Sequence, residues 1–115
     1  IENFQNIQAI VGSHPLLEKL EYEHMERVSS FAFPIICREK DLRELAIKKF
    51  EQAGIEIRPL IAGNMLDQPF YKKYVSKTYS LPGVEFLDKR GFYCGNYPEL
   101  SSEDLAHIKD CIGSL

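Results

Sequence analysis

The chain has 115 residues and a net charge of −3, with 44% hydrophobic and 27% charged residues. This length suits one domain that can bury a core of its own. The mild acidity leaves no basic footprint for nucleic acid or an anionic membrane surface, and no apolar run approaches the roughly 18 residues needed to span a bilayer.

The first predicted element is a helix. Phe4, Ile7, Ile10 and Val11 recur at helical spacing, and Gly12, Ser13 and Pro15 stop it. The opening IENFQNIQAI is too polar for a signal peptide. It is already helical with no capping residue before it, so we expect residues 1–115 to be a single domain cut from a longer protein. A processed small protein is the alternative. Leu16, Leu17 and Leu20 then suggest a short apolar turn, and EYEHMER a charged connector. Glu18, Glu21, Glu23 and Glu26 read as a solvated cluster rather than a catalytic pair.

Ser30 to Cys37, SFAFPIIC, is the strongest strand. Pro34 removes a ladder donor, so this strand lies at an edge or bulges. A helix follows from Asp41, which has capping-box spacing with Glu44. Leu42, Leu45, Ala46, Phe50 and Ala53 make its apolar stripe, and Gly54 ends it by accepting a left-handed conformation. Ile55, Ile57 and Pro59 mark a short strand alternating with Glu56 and Arg58.

Gly63 to Tyr79 reads as loop, with one helical turn over Pro69 to Tyr74. Val84 to Lys89 fits a short helix or a strand, and we favour helix. Gly91 to Gly95, GFYCG, is the third strand. Ser101 opens the last helix with Asp104 at capping-box spacing. Leu105, Ile108 and Ile112 form its apolar face, and Gly113 ends it. The expected fold class is α+β: a two-layer small domain with a short, mainly antiparallel sheet of about three strands packed with helices.

The reactive residue types are sparse. Cys37, Cys94 and Cys111 are odd in number and widely spaced, which supports neither a disulfide framework nor a zinc site. Reduced thiols and a cytoplasmic setting are expected. His14, His24 and His107 lack metal-ligand or triad spacing. Arg58 at a strand end can grip a phosphate or carboxylate with its forked donors, or it is a surface ion pair. The loop LIAGNMLDQ is too apolar for free solvation. In it Gly63 permits close backbone approach, and Asn64 either bonds a ligand or closes a turn. The same choice holds for Asn96 in GNYP. Tyr71, Tyr74 and Tyr79 with Lys72, Lys73 and Lys77 read as a docking surface or exposed loop.

Three motifs together, FAFPIICRE, GIEIRPLIAGN followed by QPFY, and GFYCGNYPELSSEDL, resemble the C-terminal small domain of DegT/StrS-type sugar aminotransferases. The resemblance covers nearly the whole chain in consistent order. It implies a fold-type I, pyridoxal-phosphate-dependent parent that aminates nucleotide-linked keto-deoxy sugars for aminosugar or surface polysaccharide synthesis. It also implies glutamate as amino donor and a homodimeric parent. The pyridoxamine-dependent 3-dehydrases of the same family are the alternative, and a standalone binding module is a further one. The cofactor, its lysine (a histidine in some dehydrases) and its phosphate cup belong to an N-terminal domain. Lys72, Lys73 and Lys77 do not match the family's lysine motif. This piece would then bind no cofactor and catalyse nothing alone. By motif position Arg58, Asn64, Gln68 and Asn96 are its substrate-facing residues. Tyr97 stands where many members carry a histidine.

Overall fold

The computed structural model describes residues 1–61 and 63–115. Among these, five α-helices and three strands make an α+β domain. The chain order is α1 (Glu2–Ser13), β1 (Ala32–Ile36), α2 (Lys40–Gln52), β2 (Ile57–Pro59), α3 (Pro69–Tyr74), α4 (Pro82–Arg90), β3 (Gly91–Gly95) and α5 (Ser102–Gly113). A 3-10 turn over Met65–Asp67 precedes α3.

The sheet is antiparallel throughout, in the order β1-β3-β2. Pro34 therefore lies on an edge strand, where its missing N–H leaves no gap in an inner ladder. Phe33 and Ile57 both pair with Cys94, while Pro34 and Arg58 both pair with Tyr93. Because side chains alternate along a strand, the first set shares one face and the second set the other. The first face is the core. Phe33, Ile35, Phe92 and Cys94 pack there with Phe4, Ile7 and Val11 of α1, Ala46 and Phe50 of α2, and Ile108 and Ile112 of α5.

Two sequence expectations for α2 need correction. The helix begins at Lys40 with Glu39 as its N-cap, and no side chain caps it. The Asp41–Glu44 capping box is therefore absent. Cys37 N–H donates to Arg90 O at 2.9 Å and Arg38 N–H to Leu16 O at 3.0 Å. These bonds hold the chain where it leaves the sheet, so the helix starts early and Asp41 falls inside its first turn. Its charge there faces the helix dipole favourably. Leu45 is also 48% exposed rather than part of the stripe. Residues 42, 46, 50 and 53 cluster on one side, and Leu45 sits about 100° round from Ala46.

Other signals act as read. Gly54 has φ +75°, and α3 spans the expected Pro69–Tyr74. The Val84–Lys89 segment is helical but longer, because Pro82 at its first turn has a φ preset for helix and no N–H to lose. Ser101 and Asp104 form a complete capping box. Asp104 accepts from Ser101 N–H and from Ser101 Oγ, both at 2.8 Å, and these bonds hold its carboxyl below the ordinary value, the backbone bond contributing most. A depressed carboxylate stabilises the fold above its unfolded pKa, and that contribution is lost as pH falls through the folded value. Ser101→Ala should cost about 1 kcal/mol. The melting difference between wild type and Asp104→Asn should be largest near neutral pH and vanish in acid; a pH-independent difference would remove the charge from the explanation.

The three cysteines are free and buried. Burial pushes the Cys94 thiol up to about 12 and the Cys37 thiol up to about 11. The thiolate is the reactive form, so both should resist thiol reagents at neutral pH while the chain is folded. Both should label together in denaturant, and labelling of either in the native chain, followed by mass spectrometry, would contradict this packing.

Candidate functional site

The β2 strand sets the first part of the site. Glu56 and Arg58 alternate with core-facing Ile57, so both project from the sheet's open side. Arg58 Nη2 donates to Glu56 Oε1 at 2.7 Å, with both side chains largely exposed. Arginine has five N–H donors, and Glu56 engages a single nitrogen. The arginine side chain is 66% exposed. Glu56 also lines a cleft of about 230 Å³ with Gly95, Tyr97, Asp104 and His107. A Cβ at Gly95 would collide with the Tyr97 ring, so that ring lies directly against the strand end.

Asn96 belongs to the same end of the sheet. Its backbone N–H donates to Phe31 O and its Nδ2 to Ser30 O, each at 2.8 Å. The side chain thus ties the turn after β3 to the chain entering β1. Phe31 packs edge-on to Tyr93 at 5.9 Å between centroids. With Pro34, Leu60 and Ile61 these rings surround a shallow apolar cleft on the sheet's open face. Ile61 is 71% and Phe31 65% exposed.

A second region starts at Gly63, whose φ of +53° and contact with the Asp88 carboxylate would both resist a side chain. Asn64 follows and is buried. Its Oδ1 accepts from Leu66 N–H at 3.1 Å, capping the 3-10 turn. Gln68 is the N-cap residue of α3, and its carbonyl accepts from Tyr71 and Lys72 N–H. Asn64 also borders a groove of about 630 Å³ between α3, residues 75–81 and the start of α4.

The four sequence-derived residues are therefore not all brought together. Arg58 lies mid-strand in β2 opposite Tyr93, Asn96 follows the end of β3, and Asn64 and Gln68 flank the 3-10 turn. Asn64 and Asn96 also brace the backbone, and the arginine is paired. Glu56 was overlooked in sequence, although its position two residues before Arg58 on a strand was the signal for it. Of the histidines, His14 Nδ1 accepts from Leu16 N–H, and His107 Nε2 lies 2.6 Å from Ala53 O. Among the described residues no group of His, Cys, Asp or Glu could hold a metal, and no helix is long and apolar enough to cross a membrane.

The described residues do not make a pyridoxal phosphate site on their own. Such a site needs a lysine or its substitute in a shielded position and an acid against the pyridine nitrogen. Among the described residues the buried polar ones are Gln8 and Asn64, and Lys72, Lys73 and Lys77 are all exposed.

The DegT/DnrJ/EryC1/StrS aminotransferase family model matches residues 2–113. The chain belongs to this family. A GDP-4-keto-6-deoxy-D-mannose 3-dehydratase from Yersinia pseudotuberculosis is 30% identical over 111 residues, covering 93% of this chain and 28% of that protein. A crystal structure of GDP-4-keto-6-deoxymannose-3-dehydratase holding a trapped PLP–glutamate geminal diamine superimposes with a TM-score of 0.80 at 25% identity, over 96% of this chain and 29% of that one. A sugar aminotransferase from Micromonospora echinospora shares the fold, with a TM-score of 0.80 at 18% identity over 98% of this chain and 29% of that one. The chain thus spans less than a third of the length of these DegT/DnrJ/EryC1/StrS relatives. The family comprises pyridoxal-cofactor enzymes that modify sugar nucleotides, among them aminotransferases and 3-dehydratases.

Proposed function

We propose that this chain is the small domain of a pyridoxal-cofactor enzyme acting on a GDP-linked 4-keto-6-deoxy sugar. In this reading it closes over an active site whose reactive groups lie on a larger domain. The match along residues 2–113 carries the reading. The exposed apolar residues Phe31, Ile61 and Met65 support it, since such surface favours burial against another domain. Arg58, Asn64, Gln68 and Asn96 face the substrate: the guanidinium fork takes a phosphate or carboxylate, and the amides take sugar hydroxyls or carbonyls. Glu56 holds Arg58 in place until an anionic ligand competes for it. The domain's contribution to rate is orientation and water exclusion.

Between the two reactions of the family, the Yersinia relative favours 3-dehydration. Amination of the keto carbon is the second reading, because the branch that RPLIAGN and GFYCGN resemble contains aminotransferases as well as 3-dehydrases. One assay separates them. The full-length gene product is supplied with GDP-4-keto-6-deoxymannose, pyridoxal phosphate and glutamate, and the sugar is analysed by mass spectrometry. A product lacking its C3 hydroxyl establishes the dehydratase, and one carrying an amine in place of the ketone establishes the aminotransferase. An unchanged sugar, with no cofactor absorbance in the protein, would overturn the proposal.

A further inference from the structure

We propose that the sheet is stopped at three strands by two prolines, Pro34 and Pro59, each placed so that its missing N–H falls on an outer edge. Pro59 is the residue that keeps a second copy of this chain from adding to β2. This goes beyond the functional reading above and does not rest on it.

The ladder register places both prolines. In an antiparallel pair, residues that exchange hydrogen bonds alternate with residues that do not. Asn96 N–H donates to Phe31 O and Cys37 N–H to Arg90 O. These bonds continue the β1–β3 pairing past both ends, with odd-numbered residues of β1 bonded to even-numbered residues of β3. Phe33 and Ile35 therefore turn their backbone groups to β3, and Ala32, Pro34 and Ile36 turn theirs outward. On β3, Phe92 and Cys94 are used by β1, so Tyr93 bonds to β2 through Arg58. Ile57 and Pro59 then face outward on the opposite edge. Both prolines sit where an incoming strand would need a donor.

The two edges are otherwise guarded unequally. At β1 every outward carbonyl is taken. Ser30 Oγ donates to Ala32 O at 2.8 Å and accepts from Ala32 N–H at 3.2 Å. Asn96 Nδ2 donates to the Ser30 carbonyl at 2.8 Å, which holds that serine beside Ala32. Gln8 Nε2 of α1 donates to Pro34 O at 3.1 Å, and Glu18 N–H to Ile36 O at 2.8 Å. Gln8 is 3% exposed, and its Oε1 is buried without a partner among the described residues. An apolar side chain would fill that place without an unpaired oxygen, so the bond to Pro34 O is what the glutamine adds.

At β2 the cover is thinner. Ile55 N–H, just before the strand, donates to Phe50 O at 2.9 Å. Among the described residues nothing caps the outward N–H and C=O of Ile57, and Pro59 is exposed. With a donor at position 59, this edge would offer N–H and C=O at both 57 and 59, the repeat to which an extended strand adds. A second copy presents the same edge. Antiparallel β2–β2 pairing about a two-fold axis is self-complementary, and Pro59 removes a donor from each side of it.

The test compares the 115-residue chain with Pro59→Thr by sedimentation over a concentration series, with hydrogen exchange read by mass spectrometry. Pro59→Thr should self-associate at least about tenfold more tightly than wild type, and exchange over residues 57–59 should slow as concentration rises. Pro34→Thr should behave as wild type, because Gln8, Ser30 and Glu18 still close that edge. Pro34→Thr combined with Gln8→Leu should associate, with the slowing now over residues 32–36. Pro59→Ala restores the same N–H and replaces Pro59→Thr if circular dichroism shows the threonine variant unfolded. Position-59 variants that associate no more than wild type would overturn the role of Pro59. Association of Pro34→Thr alone, or a double variant that stays monomeric, would remove Gln8 from the guard on β1. If Phe31→Ser dispersed the Pro59→Thr dimer and residues 57–59 gained no protection, the contact would be the sheet's open face, and the edge assignment would fall.

Discussion

Phe92→Ala is expected to lower the unfolding free energy by about 3–5 kcal/mol. Phe92 has no exposed surface and meets Phe50 edge-on, with ring centroids 5.3 Å apart and planes at 82°. The loss combines transfer energy, the aromatic contact and a cavity that the surroundings cannot fill. The cavity term is large here because β3 is the central strand, hydrogen-bonded to β1 on one side and β2 on the other. It cannot move inward without breaking two ladders. A domain of this size commonly has only about 5–15 kcal/mol of stability in total, so the variant should melt at least about 10 °C below wild type. Phe70→Ala removes an equally large ring that is 51% exposed, and should change stability by no more than about 0.5 kcal/mol. Thermal melts of the two variants side by side decide the matter. If both fell equally, or if Phe92→Ala melted with wild type, the core assigned to this sheet face would be wrong.

The legible parts of the fold are those where one physical requirement dominates a local pattern. Pro34 limited its strand to an edge or a bulge because a regular central strand cannot lose a donor without leaving a buried carbonyl unpaired. Gly54 announced a helix end because a left-handed residue is costly with a side chain. Ser101 and Asp104 announced a helix start because each satisfies a free N–H of the other's neighbourhood. The Asp41–Glu44 pair has comparable spacing and still fails, since hydrogen bonds from Cys37 and Arg38 to distant residues decide where α2 begins. Spacing is local information, and those bonds are not.

The same distinction limits the reading of the site. An asparagine that closes a turn and one that meets a ligand look alike in sequence. Asn64 and Asn96 both prove to brace backbone. Residues 65–81 carry no sustained period, and the groove they line arises only where α3, residues 75–81 and the start of α4 come together in the fold. Glu56 was within reach, because residues i and i+2 of a strand share a face and opposite charges there pair readily.

In the proposed function, Arg58→Ala should lower kcat/KM of the full-length protein for a nucleotide-linked keto sugar by about tenfold to a hundredfold, the loss expected when a charge-assisted hydrogen bond is removed. The melting temperature should barely move. The Arg58–Glu56 pair is exposed, with side chains 66% and 72% accessible, and such pairs contribute about 0–1 kcal/mol. Activity and stability therefore separate at this residue, which a purely structural arginine would not allow. Arg58→Lys keeps the charge and loses the planar fork, so it should recover only part of the rate if the contact is bidentate. Glu56→Gln supplies the complementary arm. It releases the guanidinium from its internal partner, and KM should stay level or fall if Glu56 serves only to hold Arg58. A rise in KM equal to that of Arg58→Ala would make Glu56 a substrate contact in its own right. Should Arg58→Ala leave kcat/KM untouched, the ion pair is a solvated surface feature, and the anion of the substrate must be gripped from another part of the enzyme.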